Sequence, residues 1–215
     1  MDDADKQVFI DALPGVSRET IHRLSVYAQM LEEWNQKFNL VSKSTIPTMW
    51  QRHFLDSAQL LKYLPESPKL TIADMGAGAG FPGLVISIMS GHKVHLIESI
   101  GKKATFLNAV VEKLGLDAIV HNERVEDLTN LHVDVVTARA LKALPELLGL
   151  ANRLIKKDSF CIFLKGQTLD AELTEANKWW KFSFEKFSSL SDRSGNVLIV
   201  RNLKNLGAYA ATNRK

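Results

Sequence analysis

What this 215-residue chain lacks already narrows its class. It has one cysteine, Cys161, so an internal disulfide is excluded, and no charged, apolar and small-residue leader opens "MDDADKQVFIDALPG"; a cytoplasmic chain is expected. No apolar run approaches the length of a membrane span, so no membrane partner is expected. His, Cys and carboxylate residues form no cluster with metal-ligand spacing, and no metal is expected. Charge is nearly balanced: 27 Lys plus Arg against 24 Asp plus Glu leaves +3, compatible with a polyanionic partner without specifying one. There is no internal repeat and no low-complexity tract. What is present is 46% hydrophobic residues, enough for one sizeable core plus an appendage.

The hydrophobic period changes once along the chain. From Ser17, "SRETIHRLSVYAQMLEEWNQKFNLVS" puts Ile21, Leu24, Tyr27, Ala28, Leu31, Trp34 and Phe38 on one helical stripe of about six turns, with Ser17 or Thr20 as N-cap. A second helix is expected from Ser44 or Thr45, with Pro47 in its first turn, through "WQRHFLDSAQLLKYL" to a stop at Pro65. Residues 1–65 therefore read as a helical N-terminal extension. Beyond "PESPK", the runs "KLTIAD", "KVHLIES", "AIVHN", "VDVVTAR" and "SFCIFLKG" alternate with helical stretches at "GLVISIMSG", "KKATFLNAVVEKLG" and "LPELLGLANRLIKK". That alternation is the signature of an α/β fold, a parallel sheet covered by helices. "SFEKFSSL" and "GNVLIVRNL", joined by "SDRSGN", read as a closing antiparallel hairpin. Trp179, Phe182 and Phe184 are expected in the sheet core and its flank, residues 66–205 form the main domain, and 206–215 a flexible tail.

Directly after the first strand stands "DMGAGAGFPG", Asp74 to Gly83. A glycine turn there lets backbone approach a nucleotide-like ligand at the carboxyl ends of the strands. No Gly-Lys-Ser or Gly-Lys-Thr follows, which excludes a P-loop. Gly78, Gly80 and Gly83 do satisfy G-x-G-x-x-G, with Glu98 about 20 residues on, as in dinucleotide sites. Asp74 separates the two readings: a carboxylate at the entrance opposes a pyrophosphate but suits S-adenosyl-L-methionine, which carries a sulfonium and no phosphate. Glu98, closing the second strand, would then accept from both ribose hydroxyls. Read singly, Asp74 is also a turn cap and Glu98 a solvated strand end. In "NERVEDL", Glu126 and Asp127 fall where an adenine edge would lie, or in a solvated loop.

Methyl transfer from a sulfonium is an in-line displacement, so the acceptor decides what further chemistry is needed. Attack at cytosine carbon 5 needs an activated thiol, yet Cys161 lies in the apolar "SFCIFL". The fourth strand ends "VVTARALKALPE" and not in an Asn-Pro-Pro-Tyr type loop for exocyclic amines. Guanine N7 has a free in-plane lone pair and needs no general base. Arg139, at the end of that strand, has three possible roles: binding the substrate's base edge or phosphate, contacting the cofactor, or pairing with a carboxylate such as Glu126. His53 reads either as a cleft residue that meets RNA or as a hydrogen-bonded helix residue.

The segments "WNQKFNLVS", "RHFLDS", "DMGAGAGFPG", "ERVEDL", "TARAL" and "FLKG", in this order and spacing, resemble the bacterial glucose-inhibited division protein B family, the small-subunit ribosomal RNA guanine-N7 methyltransferases. The resemblance runs from about residue 20 to residue 200. It implies a Rossmann-like class I S-adenosyl-L-methionine-dependent methyltransferase, with a mostly parallel seven-stranded sheet, acting as a monomer on one guanine of 16S rRNA in the small ribosomal subunit. Matched residue by residue, it implies cofactor contacts at Gly76, Phe81, Val125, Glu126 and Arg139, with Gly78 in the same glycine series and Asp74 and Glu98 following the general methyltransferase pattern. Arg139 is also the implied catalytic residue. Asn39, His53, Arg124 and Lys165 match positions on the cleft or RNA side. Ala77 stands where the family has threonine, and "NLVSKST" departs from the usual "NLTAI".

Overall fold

The structure, a computed structural model, describes residues 3–207. The expected tail lies outside the described residues from 208 onward. Seven strands form one sheet: β1 (Thr71–Met75), β2 (Lys93–Ile97), β3 (Ala118–His121), β4 (Val133–Arg139), β5 (Ile155–Lys165), β6 (Trp180–Ser188) and β7 (Asn196–Asn205). Their order is β3-β2-β1-β4-β5-β7-β6. The first five run parallel, while β7 is antiparallel to both β5 and β6. The order reverses beside β1, and a crevice at the carboxyl ends of β1 and β4 follows from that reversal.

Helices cover both faces, which is why the central strands are apolar without alternation: Ile72, Ala73 and Met75 of β1 are all sealed from solvent. On one face, α4 (Gly83–Ser90) and α5 (Gly101–Leu114) share a hydrophobic cluster with α1 (Asp3–Ala12) and α2 (Arg18–Asn35). On the other, α6 (Leu144–Ala151) and α7 (Leu169–Ala176) build a second cluster with Trp180. Ser17 caps α2, its hydroxyl accepting from the Thr20 amide at 3.0 Å, and α2 buries Leu24, Tyr27, Ala28 and Leu31.

Four expectations need correction. The single helix expected from residue 44 to 65 is instead a 3₁₀ turn (Lys43–Thr45), a π-helical segment (Trp50–Leu55), the short α3 (Asp56–Ala58) and a 3₁₀ stretch (Gln59–Tyr63). The Asp5 carboxylate caps the π segment by accepting from the Trp50 and Gln51 amides at 2.7 and 3.1 Å. The helix expected over "LPELLGLANRLIKK" stops at Ala151, because Val133 donates to Leu154 and pairs with Ile155; ladder pairing with β4 overrides helix propensity there. Helix α7 has no counterpart in the sequence reading. In the hairpin the buried aromatic is Trp180, which donates to the Pro145 carbonyl, whereas Phe184 is 45% exposed.

Candidate active site

The carboxyl ends of β1, β2, β4 and β5 open on a cleft of about 1030 Å³, walled on one side by residues of the N-terminal helical segment and on another by the loop before β7. Leaving β1, the chain passes Gly76, Gly78 and Gly80, all with positive φ. At Gly76 an added Cβ would meet Leu141 Cδ1 at 2.5 Å, and at Gly80 it would meet the Tyr27 hydroxyl at 2.8 Å. The loop is pinned from beneath, with Tyr27 donating to the Ala79 carbonyl and Ala77 donating to Ile97 at 3.0 Å.

Asp74 does not stand at the entrance of this loop. It is fully buried under it and does not line the cleft. Its Oδ2 accepts from the Gly83 amide at 2.8 Å, capping the start of α4, and its Oδ1 accepts from the Thr137 hydroxyl at 3.0 Å. Burial pushes its carboxyl up to about 7, against the lowering from those two hydrogen bonds. The carboxylate thus lies beneath the loop with its oxygens turned to Gly83 and Thr137, which is the turn-cap reading of Asp74. Its place in the motif comes from the turn it holds.

Glu98 lines the cleft, with a carboxylate oriented by two backbone amides. Gly78 donates to Oε2 at 2.9 Å and Ile100 to Oε1 at 2.7 Å. Each oxygen keeps a second lone pair, so the arrangement fits two adjacent hydroxyl groups. Across the cleft floor, Val125 and Glu126 lie in a 3₁₀ turn (Val125–Asp127); Val125 is buried, the Glu126 side chain is exposed, and the Glu126 carbonyl accepts from Arg153.

Arg139 sits where β4 enters the cleft, but its carboxylate neighbour is not Glu126. Its Nη1 lies 2.9 Å from His53 Nδ1, 3.2 Å from the Arg52 carbonyl and 3.4 Å from Asp56 Oδ2. Among the described residues neither Nε nor Nη2 has a protein partner. The guanidinium also covers the Phe81 ring at 5.0 Å, and Phe81 stacks on both His53 (4.9 Å) and Tyr27 (5.4 Å). His53 is pushed down to about 3 by burial and then by the Arg139 and Arg52 cations. It is 8% exposed with both ring nitrogens engaged, which matches the hydrogen-bonded helix residue of the two readings and places it in the cleft wall.

The remaining expected substrate residues separate. Arg124 lines the cleft and is exposed. Lys165 also lines it, but its Nζ is 2.6 Å from Glu172 and donates to the Lys142 carbonyl at 3.0 Å, so its charge is already neutralised. Asn39 is exposed beside the cleft and does not line it; its neighbours Leu40 and Val41 do, held by amides that donate to the buried Asn35 at 2.8 and 3.0 Å. Asp56, Thr45 and Ser191 were not expected as site residues. Their one signal is the helical spacing of His53 and Asp56, three residues apart and so on one face.

Five parallel strands with the antiparallel β7 inserted between β5 and β6, together with a bare loop after β1 and an acid closing β2, are the arrangement of a Rossmann-like class I S-adenosyl-L-methionine-dependent methyltransferase. The fold agrees with solved structures: a SAM-dependent methyltransferase from Aquifex aeolicus superposes with TM-score 0.56 at 18% identity, covering 72% of this chain and 92% of that one. A ribosomal protein L11 methylase from Lactobacillus delbrueckii gives 0.56 at 16% identity, covering 73% of this chain and 78% of that one. The GidB family model, rRNA small subunit methyltransferase G, matches residues 20–199, and the chain belongs to that family. Among curated relatives, the ribosomal RNA small subunit methyltransferase G of Rhodospirillum centenum is 47% identical over 86% of this chain and 85% of its own length. That of Caulobacter vibrioides is 44% identical over 89% of both.

Proposed function

We propose that this chain transfers the methyl group of S-adenosyl-L-methionine to N7 of one guanine in 16S rRNA of the small ribosomal subunit, acting as a monomer in the cytoplasm. The observation that carries this reading is the chemistry of the cleft wall. Among the described residues its lining contains no thiol, and its one histidine has both nitrogens committed to protein partners. Cys161 is buried in β5 with its thiol pushed up to about 12 by burial. Of the carboxylates that line the cleft, Glu98 and Asp56 are held by protein donors and Glu123 and Glu126 lie exposed; a site without an activated thiol or a free imidazole suits an acceptor that is already nucleophilic, and guanine N7 is one.

When bound, the cofactor supplies an electrophilic methyl carbon on a sulfonium. In this reading Glu98 takes the two ribose hydroxyls, the backbone of Val125 and Glu126 faces the adenine, and Gly76, Gly78 and Phe81 seat the methionine part. Arg139 takes the methionine carboxylate through its open Nε and Nη2 pair, a bidentate match. Holding the O6 and N7 edge of guanine is the role Arg139 cannot have in the reacting complex, because that would occupy the lone pair that must attack. Arg124, and Asn39 beside the cleft, are left for RNA. Residues 66–205 carry the cofactor site in this reading, and the helices of the first 65 residues flank the RNA side.

The test is radiolabelled methyl transfer to small subunits that lack the mark, followed by mapping of the modified base. Label on N7 of a single 16S guanine is expected; label on another base or atom overturns the reading. Titration with S-adenosylhomocysteine against NAD separates the dinucleotide alternative, and binding of NAD alone would sink the assignment.

A further inference from the structure

A directed hydrogen-bond chain ends on Arg139, and its sense can be worked out from donors and acceptors alone. Arginine only donates, so His53 Nδ1, 2.9 Å from Nη1, must accept and carry no proton. The ring therefore carries its proton on Nε2 and donates it to Thr45 Oγ1 at 2.8 Å. The Thr45 hydroxyl proton is thereby directed onward, to the Ser42 carbonyl at 2.7 Å. A second arm comes from Asp56, whose Oδ2 faces Arg139 Nη1 while its Oδ1 accepts from Ser191 at 2.6 Å and Gln59 at 3.0 Å. Ser191 belongs to the loop before β7, which also lines the cleft.

We propose that Thr45 and Asp56 are positioning residues for methyl transfer: the Thr45–His53–Arg139 chain and the Asp56 arm turn Nη1 of Arg139 into the protein and so aim its Nε–Nη2 edge at the ligand. What that edge binds rests on the reading above; that it is aimed by these residues does not. The groups facing His53 support a neutral ring, since Arg52 and Arg139 both oppose its protonation and Asp56 is engaged elsewhere.

The experiment compares Thr45→Val, Asp56→Asn, His53→Asn, His53→Gln and Arg139→Ala in the full chain, reading folding, S-adenosylhomocysteine affinity and methyl transfer. Nitrogen-15 spectra of labelled histidine in the wild type report the tautomer directly. Expected are an unprotonated Nδ1 and a protonated Nε2 at His53, and losses on the order of fivefold in Thr45→Val and Asp56→Asn, the size of one hydrogen bond. His53→Asn, whose amide oxygen replaces Nδ1, should retain more function than His53→Gln, whose oxygen falls nearer Nε2. A protonated Nδ1, or Thr45→Val and Asp56→Asn matching the wild type in both affinity and turnover, overturns the proposal. If Arg139→Ala binds the cofactor normally yet fails in turnover, the carboxylate reading falls; losses in turnover for Thr45→Val and Asp56→Asn would still uphold the positioning chain.

Discussion

Asp74 is a turn cap, one of the two readings that the sequence leaves open for it. Its position two residues before the first glycine is legible in sequence; its burial is not, because the side chain turns away from the ligand to cap α4 through Gly83. The consequence is a pH dependence of stability. An unfolded Asp74 ionises near the ordinary value of 3.8, whereas the folded carboxyl holds its proton to about 7. The folded chain thus gains stability that is complete below about pH 4 and is lost as pH rises to about 7. Asp74→Asn keeps an acceptor for Gly83 and removes the titration, so relative to wild type its Tm should fall more at pH 5 than at pH 8. Equal falls at both values would mean that Asp74 stays ionised in the fold. Arg139→Ala, by contrast, removes a side chain held at the cleft wall by the hydrogen bonds of Nη1 and by the Phe81 ring. It should leave the cooperative unfolding transition in place and abolish most methyl transfer; unimpaired turnover would remove Arg139 from the mechanism.

Among elements, the loop from β1 to α4 is the most constrained. At Gly83 an added Cβ would meet Asp74 Oδ2 at 2.7 Å and the Leu96 side chain closer still, so a methyl group there pushes into both the cap and the sheet. Gly83→Ala should cost about 1–3 kcal/mol of stability by overpacking, read from denaturant unfolding, and should weaken cofactor binding together with it. A variant as stable as the wild type would mean that α4 shifts freely on the sheet. The same loop was legible in the sequence because glycine spacing, the preceding apolar strand and the following helix are all local signals. Arg139's setting was not, since His53 and Asp56 lie 86 and 83 residues away in the chain and meet it only through packing. The end of α6 failed for a related reason: "NRLIKK" has helical composition, and it is the pairing of Ile155 with Val133 that starts β5 there. The α/β alternation, the closing hairpin and the cap at Ser17 were readable because each depends on neighbours within a few residues.

For the whole molecule, the change of period near residue 65 marks a change of secondary structure and not a gap in the core. Phe9, Leu24, Tyr27, Trp50 and Phe54 belong to the same cluster as Ile72, Leu84, Val85 and Phe106. Tyr27 reaches Ala79 in the cofactor loop, and Phe54 packs edge-on against Phe81 at 5.4 Å. Gln59 and Arg52 also tie the N-terminal segment to the loop before β7, through the Leu190 amide and Asp192. Removing residues 1–65 would therefore bare one apolar face of the sheet-covering helices, and exposed apolar area costs about 25 cal/mol per Å². A chain beginning at residue 66 should fail to unfold cooperatively on heating and should not bind S-adenosylhomocysteine, while the full chain melts in a single transition. A shortened chain that melts sharply and binds the ligand would make the helical segment a separable RNA-binding appendage. In the shared-core arrangement, by contrast, the N-terminal helices and the glycine loop are one structural unit.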